Sequence, residues 1–174
     1  QHFLFDPDIL HRMALSTGPI AGVTVFEIGP GPGGLTGALL DAGAGRVIAI
    51  EADKRFASAL HSWPQTKEGR LVVVEGDARK ADYRALAAQH GVGSAPARII
   101  ANLPYNVGTP LLVGWLKAGA WRGDMALMFQ KEVAERICAA PGSSNYGRLA
   151  VLSQAVCQTH IAFSLPPGAF RPPP

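Results

Sequence analysis

Four consecutive residues, Asn102-Leu103-Pro104-Tyr105, bring together groups suited to handling an amine attached to a planar ring. An exocyclic amino nitrogen on a base is a poor nucleophile because its lone pair is delocalised into the ring. Two acceptors, the Asn102 side-chain oxygen and the Pro104 backbone carbonyl, would bind its hydrogens and favour a more tetrahedral, more nucleophilic nitrogen. Proline has no N–H and fixes its own φ, so such a carbonyl is readily pre-positioned. Tyr105 offers a flat face on which an extruded base can stack, a contact worth roughly 1–3 kcal/mol. Most Asn-x-Pro segments are only turns, so the weight of this one depends on its company.

That company is Gly29-Pro30-Gly31-Pro32-Gly33-Gly34, which fits G-x-G-x-x-G between an apolar run and a helical stretch. Glycines there let backbone approach a ligand closely, and Glu51, at the end of the next apolar run, is placed to accept hydrogen bonds from ribose hydroxyls. NAD and S-adenosylmethionine both carry an adenosine, and both would use this device. Two features move the balance to S-adenosylmethionine. Glu27 makes the segment Glu-Ile-Gly-Pro-Gly, which resembles the first motif of class I methyltransferases, and Gly76-Asp77-Ala78 stands where that superfamily carries an acid for the adenine amino group. A methyl sulfonium is already an activated electrophile, so its displacement needs orientation and desolvation rather than a metal or a covalent nucleophile.

These residues need a frame to hold them. Apolar, β-branched runs predict strands over 23–28, 47–50, 71–75, 99–102 and 126–129, alternating with helices over 35–42, 55–62, 83–89, 110–117 and 131–139. Asp6-Pro7 caps an additional N-terminal helix that Gly18-Pro19 ends. Residues 149–165 read as a helix followed by a strand, and the tail is rich in proline. Such alternation implies an α/β fold with a mostly parallel sheet and helices on both faces. Ligands of these sheets bind beyond the carboxyl ends of the strands, which is where Glu27, Glu51, Asp77 and Asn102 fall.

Composition sets the outer bounds. At 174 residues and 48% hydrophobic, one domain with one real core is expected. No run is long and apolar enough for a membrane span, and Gln1-His2-Phe3-Leu4 lacks the layout of a signal peptide, so a cytoplasmic, monomeric protein is the expectation. Cys138 and Cys157 have no metal-ligand spacing around them and read as reduced core residues, with no metal site. A net charge of +3 permits an anionic partner without demanding one, because the basic residues are scattered.

Taken in order, Gln1 to Leu4 with Asp6, Glu27 to Gly31, Leu35-Thr36, Glu51, Asp77-Ala78, Asn102 to Tyr105, Gln130 to Val133 with Arg136, Tyr146 to Leu149, and Phe170 before Pro172 to Pro174 resemble the motif series of the KsgA (RsmA) family of rRNA adenine N6,N6-dimethyltransferases. The likeness covers nearly the whole chain. It implies a Rossmann-like class I methyltransferase fold that dimethylates two adjacent adenosines in the 3′-terminal hairpin of small-subunit (16S) rRNA, with S-adenosylhomocysteine as product. It also implies that His2, Leu4, Glu27, Gly29, Gly31, Glu51, Asp77, Ala78 and Asn102 line the cofactor site. Phe170 would stack on the target adenine opposite Tyr105. His2 departs from the Asn usual at its position, and a neutral imidazole nitrogen donates or accepts but not both. By the same likeness the chain is expected to stop before a last strand and before the family's helical RNA-binding domain. Lys131, Arg136, Arg148 and Arg171, near the catalytic edge, are the expected RNA contacts, although Glu132 and Glu135 are equally good partners for Lys131 and Arg136. Two rivals remain: an Erm-type large-subunit rRNA dimethylase, for which Ile would be expected in place of Leu103, and a non-catalytic ribosome-assembly or transcription factor on the same fold, which would be expected to have lost Asn102, Glu51 or the aromatic clamp.

Overall fold

β-Branched runs that bury both faces of a strand leave no face for water, so a sheet built from them must be covered on both sides. The computed structural model describes residues 2–172 and has this arrangement. Its elements in chain order are β1 (Phe3–Leu4), α1 (Pro7–Ala14), β2 (Thr24–Ile28), α2 (Gly34–Asp41), β3 (Arg46–Glu51), α3 (Lys54–His61), α4 (Pro64–Lys67) and β4 (Leu71–Glu75). There follow α5 (Tyr83–His90), β5 (Ala97–Asn102), α6 (Gly108–Leu116), β6 (Arg122–Met128), α7 (Lys131–Ile137), α8 (Arg148–Val156), a 3-10 turn (Pro167–Ala169) and β7 (Phe170–Arg171). Five strands form one parallel sheet in the order β4-β3-β2-β5-β6.

Alternate residues of the central strands feed two cores. Val25, Val47, Ala49 and Ile100 meet Leu10, Met13, Leu35 and Leu39 of α1 and α2 on one face. Phe26, Ile28, Ile48, Ile50, Ile99 and Ala101 meet Leu111 and Trp115 of α6 on the other. Each large side chain so buried contributes about 1.5–3 kcal/mol. By the same alternation Glu27 lies on the α1/α2 side. The chain leaves edge strand β4 and re-enters beside β2 as β5, so the strand order reverses between β2 and β5. A crevice opens at the carboxyl ends of such a pair, and the loops that flank it follow Ile28 and Asn102.

Local chemistry explains several boundaries. Asp6 caps α1, its Oδ1 accepting from the amides of Asp8 and Ile9 at 2.9 and 3.3 Å, and Pro7 fills the first helical position. At Gly33, with φ of +93°, a Cβ would stand 2.5 Å from Cζ2 of Trp63, so only glycine lets the loop turn into α2 against that ring. Strand β6 begins at Arg122, earlier than its apolar run, because pairing with Ala97 extends the ladder through polar residues.

Two sequence expectations are corrected. The strand expected after α8 does not form: residues 157–166 carry no ladder, and Phe163 and Leu165 are held by packing on the first core, with the Arg12 guanidinium 4.2 Å from the Phe163 ring centre. Instead, β1 and β7 pair antiparallel as a separate two-stranded sheet, Leu4 opposite Phe170 and Phe3 opposite Arg171. Among the described residues no helix is long and apolar enough to cross a membrane.

Candidate active site

The glycine loop and the Asn102 turn meet at the reversal point. A Cβ on Gly29 would stand 3.8 Å from Cγ of Pro104, and one cavity is lined by Phe3, Leu4, Leu10, Met13, Glu27, Gly29, Pro30, Pro32, Gly34, Leu35 and Asn102. Its floor is the carboxyl end of β2, its far wall the start of α2, and its near wall the β1 strand. Gly31 has φ of +54° and a Cβ there would come 2.7 Å from Cε1 of Phe3, so β1 lies directly over the loop.

Glu51 organises the loop from below. It is 2% exposed, its Oε1 accepts from the Gly31 amide at 2.9 Å and its Oε2 from the Asp53 amide at 3.0 Å. Each carboxylate oxygen retains a further acceptor direction. Glu27 is fully buried and accepts a hydrogen bond from the Thr36 hydroxyl of α2. Burial pushes its carboxyl up to about 8; the Thr36 bond opposes that rise, and the nearby Glu51 charge adds to it. At neutral pH Glu27 is therefore a protonated acid in the cavity wall, and a cation entering there would favour its ionised form.

The structure distributes the expected residues unevenly. Leu4, Glu27, Gly29 and Asn102 border the cavity, and Gly31 and Glu51 form the loop and its anchor. Asp77 follows β4, where Arg79 holds its carboxylate with contacts of 2.9 to 3.2 Å and keeps its pKa below the usual range. Ala78 beside it packs on the second core, and its carbonyl accepts from the Tyr83 hydroxyl at 2.7 Å. His2 is absent from the cavity lining; its ring lies 5.9 Å from that of Tyr105. Leu103 is buried at 3% exposure, and with Pro104, Tyr105, Thr109 and Phe129 it borders a second, smaller pocket.

Two catalytic expectations are corrected. The Pro104 carbonyl already accepts from the amides of Val107 and Gly108 at 3.3 and 3.2 Å, because it starts α6, so Asn102 is the acceptor left free for a ligand. Phe170 is 8% exposed and packs in the first core beside Leu4, so its ring does not face Tyr105, which is half exposed. The four expected RNA contacts are all exposed: Lys131 sits 3.9 Å from Glu135, Arg171 bonds to the carbonyls of Gly168 and Phe170, and Arg136 and Arg148 make no ion pair among the described residues. Gln1, Pro173 and Pro174 of the motif series lie outside the described residues.

Sequence reasoning passed over three contributors: Phe3, which roofs the loop; Thr36, which holds Glu27; and Tyr83, which holds the Ala78 carbonyl. Thr36 carries a legible signal, since a hydroxyl on an otherwise apolar helix face (Leu35, Leu39, Leu40) must find a buried partner. Phe3 and Tyr83 look like ordinary core aromatics. Among the described residues no group of three His, Cys, Asp or Glu side chains could hold a metal ion.

The ribosomal RNA adenine dimethylase family model matches residues 1–174. The chain belongs to that family. Within it, this dimethylase-family chain is 55% identical over 174 residues to a ribosomal RNA small subunit methyltransferase A of Gluconobacter oxydans, and 53% identical over 177 aligned positions to one of Xanthobacter autotrophicus. Both alignments cover all of this chain but only 55% and 60% of those relatives, so the chain spans little more than half their length. The crystal structure of a dimethyladenosine transferase from Plasmodium falciparum superposes with a TM-score of 0.82 at 34% identity, over 99% of this chain and 59% of that one. The 23S rRNA methyltransferase ErmE is more distant, with a TM-score of 0.64 at 27% identity over 87% of this chain and 55% of that one.

Proposed function

We propose that this chain is the S-adenosylmethionine-binding catalytic domain of a cytoplasmic enzyme that dimethylates N6 of two adjacent adenosines in the 3′-terminal hairpin of small-subunit rRNA. The observation that carries the reading is the single cavity shared by the glycine loop, Glu27 and Asn102 at the strand-order reversal. The residues present fit the cofactor. Gly29 and Gly31 keep side chains out of its path, Leu4 covers it, Glu51 offers buried carboxylate acceptors for ribose hydroxyls, and Asp77 with Ala78 borders the adenine. When bound, S-adenosylmethionine supplies a methyl group that its own sulfonium has already activated. Glu27 then presents a carboxyl able to ionise against a positive charge.

Asn102 takes the amine. Its side-chain oxygen accepts a hydrogen of the target amino group, directs the nitrogen lone pair toward the cavity and stabilises the positive charge that develops on that nitrogen. Tyr105 supports the base, and the apolar walls at Leu103 and Phe129 exclude water. Lys131, Arg136, Arg148 and Arg171 meet RNA phosphates, which supply position and salt-dependent affinity rather than sequence.

The test is to incubate the protein with unmethylated ribosomal subunits and methyl-labelled cofactor and map the label. Two adjacent dimethyladenosines in the small subunit are expected; label in the large subunit would instead place the chain with ErmE-like enzymes. Asn102→Ala should leave cofactor affinity within about an order of magnitude and cut single-turnover transfer by at least about a hundredfold. A loss below tenfold would make Asn102 a turn residue.

A further inference from the structure

The residue facing Tyr105 is His2. Their ring centroids are 5.9 Å apart and their planes differ by 31°, while Phe170 is buried in the first core, paired through β7 with Leu4. His2 is also missing from the walls of the cofactor cavity, although its neighbours Phe3 and Leu4 are both part of them. Its orientation is set: Nδ1 lies 3.0 Å from the Pro172 carbonyl, which can only accept, so Nδ1 carries the hydrogen and the ring is tethered to the segment after β7. We infer that His2 and Tyr105 are the two jaws that hold the target base, and that Phe170 is a core residue. The inference rests on the function proposed above and deepens it by naming how the base is gripped.

The geometry suits a planar guest. A base sandwiched between two rings needs a ring separation of about 7 Å, since each stacking contact spans about 3.5 Å. The present gap is about an ångström short of that, and the tilt makes it a wedge that a modest turn of either ring opens. Histidine is among the aromatic side chains on which unstacked bases rest. An amide at this position would have no face of comparable area, so the imidazole gives this chain a second stacking surface.

An RNA oligonucleotide carrying 2-aminopurine as the guest base, with S-adenosylhomocysteine present, reads the grip by fluorescence, and calorimetry reads cofactor affinity separately. His2→Ala should weaken base binding roughly fivefold or more and reduce the stacking quench, as loss of a base-aromatic stack does. His2→Phe should keep both. Cofactor affinity should stay within about twofold in either variant, because His2 does not line that cavity. Phe170→Leu should act on thermal stability. The inference is overturned if His2→Ala leaves the quench intact, if its main effect is on cofactor affinity, or if Phe170→Leu abolishes the quench while His2→Ala does not. A wild type that binds cofactor without ever quenching the probe would overturn it too. A wild type that binds no cofactor would bring down the proposed function itself, and calorimetry distinguishes that result.

Discussion

Replacing Glu27 with Gln tests the electrostatics of the cavity without removing its shape. Glu27 is fully buried, and burial raises its carboxyl from 4.5 to about 8 in the folded chain. Because the folded pKa lies above the unfolded one, the folded state holds a proton that the unfolded state releases. The associated stability is complete below pH 4.5 and is lost as pH rises toward 8. Each pH unit within that window changes stability by about 1.4 kcal/mol, so the wild type at pH 7.5 is about 4 kcal/mol less stable than at pH 4.5 through this group alone. Glutamine keeps an oxygen for the Thr36 hydroxyl and does not titrate. Urea unfolding of both proteins between pH 5 and pH 9 should show the variant gaining on the wild type by about 1.4 kcal/mol per unit up to pH 8, then a constant difference. Any fixed cost of the extra amide protons shifts the whole curve and leaves the slope alone. Parallel curves, differing by less than about 0.5 kcal/mol between pH 5 and 8, would mean that Glu27 ionises normally and that the cavity is wetter than its lining suggests.

Two further substitutions probe the loop. Glu51→Gln leaves one acceptor where two backbone amides, of Gly31 and Asp53, are now held, and it should weaken S-adenosylmethionine binding by roughly 1.5–3 kcal/mol in calorimetry. Unchanged affinity would remove Glu51 from the cofactor site. Gly33→Ala combines a left-handed backbone with a Cβ 2.5 Å from the Trp63 ring, and it should cost about 2–4 kcal/mol in urea unfolding; a loss under about 0.5 kcal/mol would show that Trp63 yields freely.

The central sheet was legible because its signals are local. The runs ending at Ile28, Glu51, Glu75 and Asn102 are short, β-branched and separated by helical spacing, and they became β2, β3, β4 and β5 with ends shifted by two residues at most. The residues beyond them followed, since strand ends of a parallel sheet converge. Features that depend on distant partners were not legible. Nothing in Phe3-Leu4 or Phe170-Arg171 announces a strand, because each is two residues long and its partner lies at the other end of the chain. The same blindness misplaced Phe170 and His2. Motif position suggested one as the base platform and the other as a cofactor ligand, while the β1–β7 pairing buries Phe170 and leaves His2 beside Tyr105. The Pro104 carbonyl went wrong for a local reason, since a turn that opens a helix uses its own carbonyl.

The β1–β7 ladder also dictates an order of assembly. Closing an unstructured loop of that length costs roughly 4–5 kcal/mol, more than two residue pairs can return. The ladder can therefore form only after the five-stranded sheet has brought the two ends of the chain together. Phe3 and Leu4 belong to that ladder and also wall the cavity. The binding chamber is thus sealed last, by the joining of first residues to last, and a molecule whose sheet is incomplete is left with an open chamber and a poor grip on its ligand.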